Sequence, residues 1–156
     1  MNQLIQQLLQ WGLPMAIANM APVFIKGKHP IDFGKEKNGR RILGKGKTWE
    51  GLFGGTLIGG IVGFLLGNFQ LGLAVAFGAL LGDIIESFIK RKVGIKSGHP
   101  WWGFDQLDFV IGGILLGSFI ETPMTKTVII LLLVMSLGHP LANYIGYKLK
   151  MKKNKF

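Results

Sequence analysis

A short stretch of this chain carries residues whose types and spacing can do chemistry. Asp83, Glu86, Ser87 and Lys90 fall at i, i+3, i+4 and i+7, which places all four on one face of a helix. Asp105 and Asp108 repeat the i, i+3 step a little further on. A carboxylate in an apolar spanning segment costs about 3 kcal/mol even on lenient insertion scales, so it faces a cavity, a counter-charge or an ion. An ion pair from Asp83 to Lys90 or Arg91 is the purely structural reading. Three aspartates, Asp83, Asp105 and Asp108, flanked by Lys90, Arg91 and Lys96, suit a metal and phosphate site better. Magnesium prefers carboxylate oxygens and fills its remaining positions with water and phosphate. A second basic segment runs from Gly39 to Gly51, with Lys45, Lys47 and Thr48 leading into a helix start. Backbone amides there, with glycines allowing close approach, attract phosphate. Basic residues beside a membrane also serve topology and lipid headgroups.

The elements that must position these residues are read from hydropathy. The 156 residues are 49% apolar and 17% charged, with a mean hydropathy of +0.39, which excludes a disordered chain and marks an integral membrane protein. Cysteine is absent, and the amino terminus shows no cleavable signal peptide. The uncharged run Gly51 to Gly82 exceeds one bilayer crossing and breaks at Asn68-Phe69-Gln70, so it is expected to form two helices. The run Phe109 to Ile120 spans only about 18 Å as a helix, so its helix is expected to begin near Gly103. The result is a single all-α domain over 1–156 with five transmembrane helices, about 3–25, 51–67, 71–89, 103–120 and 127–147. Two basic loops, 26–50 and 90–102, form the rim of the site. Of 18 lysines and arginines, 17 fall in those loops and the tail. The positive-inside rule therefore puts the amino terminus outside and the site and carboxy terminus in the cytoplasm.

Glycines 51, 55, 59, 63 and 67 recur every fourth residue, and Gly78/Gly82 and Gly113/Gly117 repeat the spacing. Such ridges let helices pack closely in lipid. They would meet either a helix of the same chain or a second copy, as a possible homodimer. His29, His99 and His139 each precede a proline without metal-ligand spacing and read as turn or kink residues.

The run Gly82-Asp83-Ile84-Ile85-Glu86-Ser87-Phe88-Ile89-Lys90-Arg91, then Gly94-Ile95-Lys96 and Asp105-Gln106-Leu107-Asp108, resembles the carboxy-terminal motif of integral-membrane CTP:phosphatidate cytidylyltransferases. Lys47-Thr48-Trp49-Glu50-Gly51 is similar to a second element of that superfamily. The short five-helix chain, Asn19-Met20-Ala21-Pro22, Pro30-Ile31-Asp32-Phe33-Gly34-Lys35 and Asp105-Gln106-Leu107-Asp108-Phe109 resemble its CDP-archaeol synthase branch. That resemblance implies magnesium-dependent transfer of CMP from CTP to 2,3-bis-O-geranylgeranylglycerol 1-phosphate, with pyrophosphate released. It implies Asp83, Asp105 and Asp108 as metal ligands and, with Lys90, as the catalytic set. It also implies Lys45, Lys47, Thr48, Glu86, Ser87, Arg91 and Lys96 as nucleotide and phosphate contacts. A CDP-diacylglycerol synthase acting on phosphatidic acid would share this chemistry. A cation transporter would also carry intramembrane carboxylates, but near mid-bilayer rather than at one rim.

Overall fold

Asn2 opens the first helix by accepting the Leu4 amide, and α1 then runs Gln3–Ile25 to a left-handed Lys26 at φ 49°. The computed structural model describes residues 2–37, 39–44, 46–97, 99, 101 and 104–148, with side chains outside the description at Arg40 and at 139–148. After α1 come two short strands, β1 (Glu36–Lys37) and β2 (Arg40–Arg41), then α2 (Trp49–Leu65), α3 (Phe69–Lys92), α4 (Asp108–Gly117) and α5 (Thr125–Lys148). The hairpin pairs Glu36 with Arg41 and Lys37 with Arg40. It is an addition to the all-helical expectation, built in the first basic loop.

The helices form one bundle whose core joins Trp11 and Met15 of α1 to Leu71, Val75 and Ala79 of α3, Phe109 and Val110 of α4, and Leu131 of α5. Outward faces carry large apolar side chains such as Phe53, Leu57 and Phe64 on α2 and Leu133 and Leu137 on α5. An apolar exterior over a tightly packed interior is what a bilayer, rather than water, requires. Helices α1 and α3 are long and apolar enough to cross a membrane.

Glycine decides the spacing. On α2, Gly55 leaves 2.9 Å for a Cβ before it meets the Ala18 carbonyl, a Cβ on Gly59 would overlap the Ala76 methyl, and one on Gly63 would lie 2.5 Å from the Gly72 Cα. The ridge is therefore an internal packing surface against α1 and α3 of the same chain, not a face held out to a second copy. At the end away from the basic loops, buried Gln7 accepts from Thr127 and the Met124 amide, each at 2.9 Å, and donates to Glu121. Side-chain amides thus fasten helices that apolar contact alone would not orient in lipid.

The fourth helix departs from expectation. It starts at Asp108 rather than near Gly103 and ends at Gly117, only ten residues. Asp105 accepts the Trp101 amide at 3.1 Å and is drawn to Lys90, which closes a turn ahead of the helix instead of extending it. The other four helices begin and end within a few residues of the limits expected for them.

Replacing Gly59 by leucine should force α2 away from α1 and α3 and cost roughly 1–3 kcal/mol of overpacking. The measurement is the thermal midpoint of the detergent-purified protein, which should fall clearly below that of the parent.

Candidate active site

The close contact between α3 and α4 sets the site. A Cβ on Gly82 would overlap the Asp108 carbonyl oxygen, and one on Gly78 would overlap that of Gly112. With no side chain between them, the two backbones bring Asp83 and Glu86 beside Asp108. One carboxylate oxygen from each lies within 4.8 Å of the others. At an effective dielectric constant of about 20, two unit charges at that separation repel by roughly 3 kcal/mol. Such a trio calls for neighbouring cations or bound protons.

Two lysines supply part of the compensation. Lys47, arriving from the first loop, ion-pairs with Asp83. Lys90, itself buried, lies 2.9 Å from both Asp105 oxygens and 3.2 Å from Glu86. With all four carboxylates ionised, the two ammonium groups leave a formal charge of −2, the deficit that one divalent cation removes. Glu86 Oε1 is buried, with the Lys90 ammonium 3.2 Å away and no well-aligned hydrogen bond among the described residues. An oxygen of that kind beside two further carboxylates fits a hard cation.

The first loop is locked onto this end of the bundle. Ile31 donates to the Lys47 carbonyl at 3.0 Å and Trp49 to that of His29 at 2.9 Å. Glu50, in the first turn of α2, accepts the Lys28 and His29 amides and lies 2.5 Å from His29 Nδ1. Thr48 caps α2 by accepting the Gly51 amide. Gly44, at φ 83°, brings the loop against Ser97 of the second loop, where a Cβ would stand 3.1 Å from Oγ. Asp32 is the hub: 8% exposed, it accepts from Arg41 Nε and from the Gly34 and Leu43 amides, each at 3.1 Å, and its contact with the Arg41 terminal nitrogen closes a two-pronged pair. Burial pushes the Asp32 carboxyl up, but the bonds from Arg41, Leu43 and Gly34 outweigh it and hold the group below its ordinary value of 3.8. The stabilisation is complete above that ordinary value and is lost as the pH falls through the depressed one.

Between this loop and the helices lies a recess of about 340 Å³, with Asn19, Lys47, Thr48 and Asp83 as polar walls and Leu52 and Leu80 as apolar ones. A polar floor against an apolar wall suits a ligand with a charged head.

The family model described as CarS-like, CDP-archaeol synthase, matches residues 1–156. The chain belongs to the CDP-archaeol synthase family. It is 42% identical to the CDP-archaeol synthase of Pyrococcus horikoshii over 98% of this chain and 97% of that one. It is 38% identical to that of Sulfolobus acidocaldarius, over 92% and 93% of the two chains. A solved structure described as an intramembrane enzyme for archaeal membrane lipids biosynthesis superposes with a TM-score of 0.78 at 37% identity, covering 86% of this chain and 91% of that one. The family likeness and the apolar exterior make this a mostly helical integral membrane protein.

The residues expected to act together in this CDP-archaeol synthase family member are divided by the structure. Asp83 and Asp108 converge. Asp105, expected to complete a metal trio with them, instead stands in the Lys90 pair, and Glu86, expected among the phosphate contacts, takes the third place. The reason is rotational: Glu86 shares the α3 face of Asp83, whereas Asp105 sits in the turn before α4. Ser87 is buried, and Arg91 donates from Nη1 to the Ile95 carbonyl at 2.6 Å, at the end of α3. Lys96 is exposed, and Lys45 lies outside the described residues. Asp32 and the His29–Glu50 pair were not singled out as site residues. The signal for Asp32 was its place as one of three acids, with Glu36 and Glu50, among the eight lysines and arginines of the 26–50 loop.

Asp32→Asn should loosen the hairpin without unfolding the bundle. Limited trypsin digestion at neutral pH should then cleave the loop at least about ten-fold faster, the scale set by a broken buried ion pair.

Proposed function

We propose that this protein transfers CMP from CTP to the phosphate of 2,3-bis-O-geranylgeranylglycerol 1-phosphate, giving unsaturated CDP-archaeol and pyrophosphate in a magnesium-dependent reaction. Membership of the family makes the chain a CTP-dependent cytidylyltransferase of archaeal lipid biosynthesis. The observation that carries the finer reading is the only partly compensated carboxylate group of Asp83, Glu86 and Asp108 at the end of the bundle where both basic loops meet.

The chemistry joins two anions. A phosphate oxygen of the lipid attacks the α-phosphorus of CTP, the bond from that phosphorus to the bridging oxygen breaks, and pyrophosphate leaves with the electron pair. Charge repulsion and leaving-group charge make the barrier, so positioning and electrostatics are the protein's main contribution. Asp83, Glu86 and Asp108 would hold magnesium, whose chemistry when bound is to neutralise the α-phosphate and stabilise the departing pyrophosphate. Lys47 carries the first loop to the carboxylates and sets the nucleotide side of the recess. Lys90 holds Asp105 in place and moderates the charge on Glu86. The acceptor phosphate ionises near neutral pH, so no side chain is assigned as a general base.

The polar groups lie at one end of the helices, beside cations, which favours catalysis at a surface over ion transport through the bundle. The cation asymmetry supports an amino terminus outside and an active site in the cytoplasm.

The test is product formation from labelled CTP by the purified protein, offered the ether lipid phosphate and phosphatidic acid in parallel. The ether product should dominate; equal or preferential use of phosphatidic acid would make it a CDP-diacylglycerol synthase instead. Asp108→Asn and Glu86→Gln should each lower turnover by several orders of magnitude with the thermal midpoint preserved, whereas near-parental rates would remove those carboxylates from the mechanism. Chelation should abolish turnover, and added magnesium should restore it.

A further inference from the structure

A second recess, of about 720 Å³, opens between the hairpin and the last turns of α3. Its walls are Lys37, Arg41, Arg91 and Lys92, with Ile42 and Phe88 as apolar neighbours, and no acidic side chain lines it among the described residues. Asp32 stands behind Arg41 as its counter-ion rather than in the recess. None of these residues lines the smaller recess that contains Asp83.

The location is informative. On α3 the side chains of Asp83, Glu86 and Lys90 turn to the carboxylate cluster, while Ile85, Phe88, Ile89 and Lys92 lie on the outward side. Ile85, Phe88 and Ile89 are 57%, 45% and 40% exposed. This outward stripe is therefore apolar along its length and capped by a cluster of four cations at its end. The pattern is complementary to one class of molecule: a lipid with apolar chains and an anionic phosphate head lying parallel to the helix. A free nucleotide has no use for the apolar stripe, and a zwitterionic lipid brings a cation into a recess already lined by four.

We propose that this recess is a capture site for a lipid phosphomonoester, on the opposite side of α3 from the carboxylate cluster. Lys37, Arg41, Arg91 and Lys92 would surround the phosphate, and the chains would lie along Ile85, Phe88 and Ile89. The monoester, which carries up to two negative charges, matches four cations better than a singly charged diester does. The choice of monoester rests on the reading of the acceptor as a lipid monophosphate; the site itself does not depend on turnover.

Binding is measured by native mass spectrometry of the full chain in neutral detergent, titrated separately with dioleoyl phosphatidic acid, phosphatidylglycerol and phosphatidylcholine. Phosphatidic acid should bind most tightly. The double variant Lys37→Gln/Lys92→Gln should bind it about thirty-fold more weakly, from roughly one surface-charge contribution per lysine. The KM for CTP should stay unchanged, and kcat at saturating lipid should be retained. Both lysines are exposed, so the fold should survive; Lys92→Gln alone, with a smaller loss, serves if the double variant does not purify. Unchanged phosphatidic acid affinity in the variant, or equal binding of phosphatidylglycerol, would overturn the proposal. So would a raised KM for CTP with lipid binding intact, which would assign the recess to the triphosphate. Parental CDP-lipid formation is scored in the same preparations, so a failure of this site is distinct from a failure of the proposed reaction.

Discussion

Between α3 and α4 the backbones approach so closely that a methyl group at Gly82 would overlap the carbonyl oxygen of Asp108, and one at Gly78 that of Gly112. In lipid no hydrophobic drive brings helices together, and close contact over small residues takes its place. Here that contact has a second effect. It brings carboxylates from two helices to within 4.8 Å of one another, a separation that like charges resist. The packing force and the electrostatic cost are thus applied at the same point, and the surrounding structure is arranged around that conflict.

Lys47 and Lys90 answer it from different directions. Lys90 belongs to α3 and ties Glu86 to Asp105, so the turn before α4 is fastened to the helix that α4 packs against. Lys47 belongs to the first loop, and its pair with Asp83 makes the loop part of the site. That loop would not hold its shape from backbone pairing alone, because its hairpin has only two residues in each strand. Buried Asp32, with Arg41 and two backbone amides, and Glu50, with His29 and two more, provide the anchoring. Removing Arg41 from beside Asp32 leaves a buried charge unpaired in low dielectric, a penalty larger than the net worth of the intact pair.

The two recesses follow from the same arrangement. One has Asp83 and Lys47 on its walls and turns to the inside of the bundle; the other, whose charged side chains among the described residues are all cationic, turns to the outside of α3. A single helix therefore presents carboxylates on its packed face and cations at the end of its outward face. The basic loop supplies a wall to each.

Much of this was legible in the residues taken in order. Uncharged runs and the Asn68 break located the helices, four-residue glycine spacing announced close packing, and the i, i+3 carboxylates marked the place of the candidate site. These are properties of one helix or one stretch of chain, carried by the 3.6-residue period and by the cost of charge in lipid. Partnership is a different quantity. Whether Glu86 or Asp105 stands with Asp83 and Asp108 depends on how α4 is rotated against α3 and where its first turn begins. That Gly51 to Gly63 meet α1 and α3 depends on which ridge fits which groove. Asp32 gains its importance only when the chain folds back on Arg41, nine residues away. The linear order determined which groups would be driven together at one end of a membrane bundle; only the tertiary structure decided their pairing, because ion pairs and close contacts fall off within a few ångströms and sequence separation does not measure that distance.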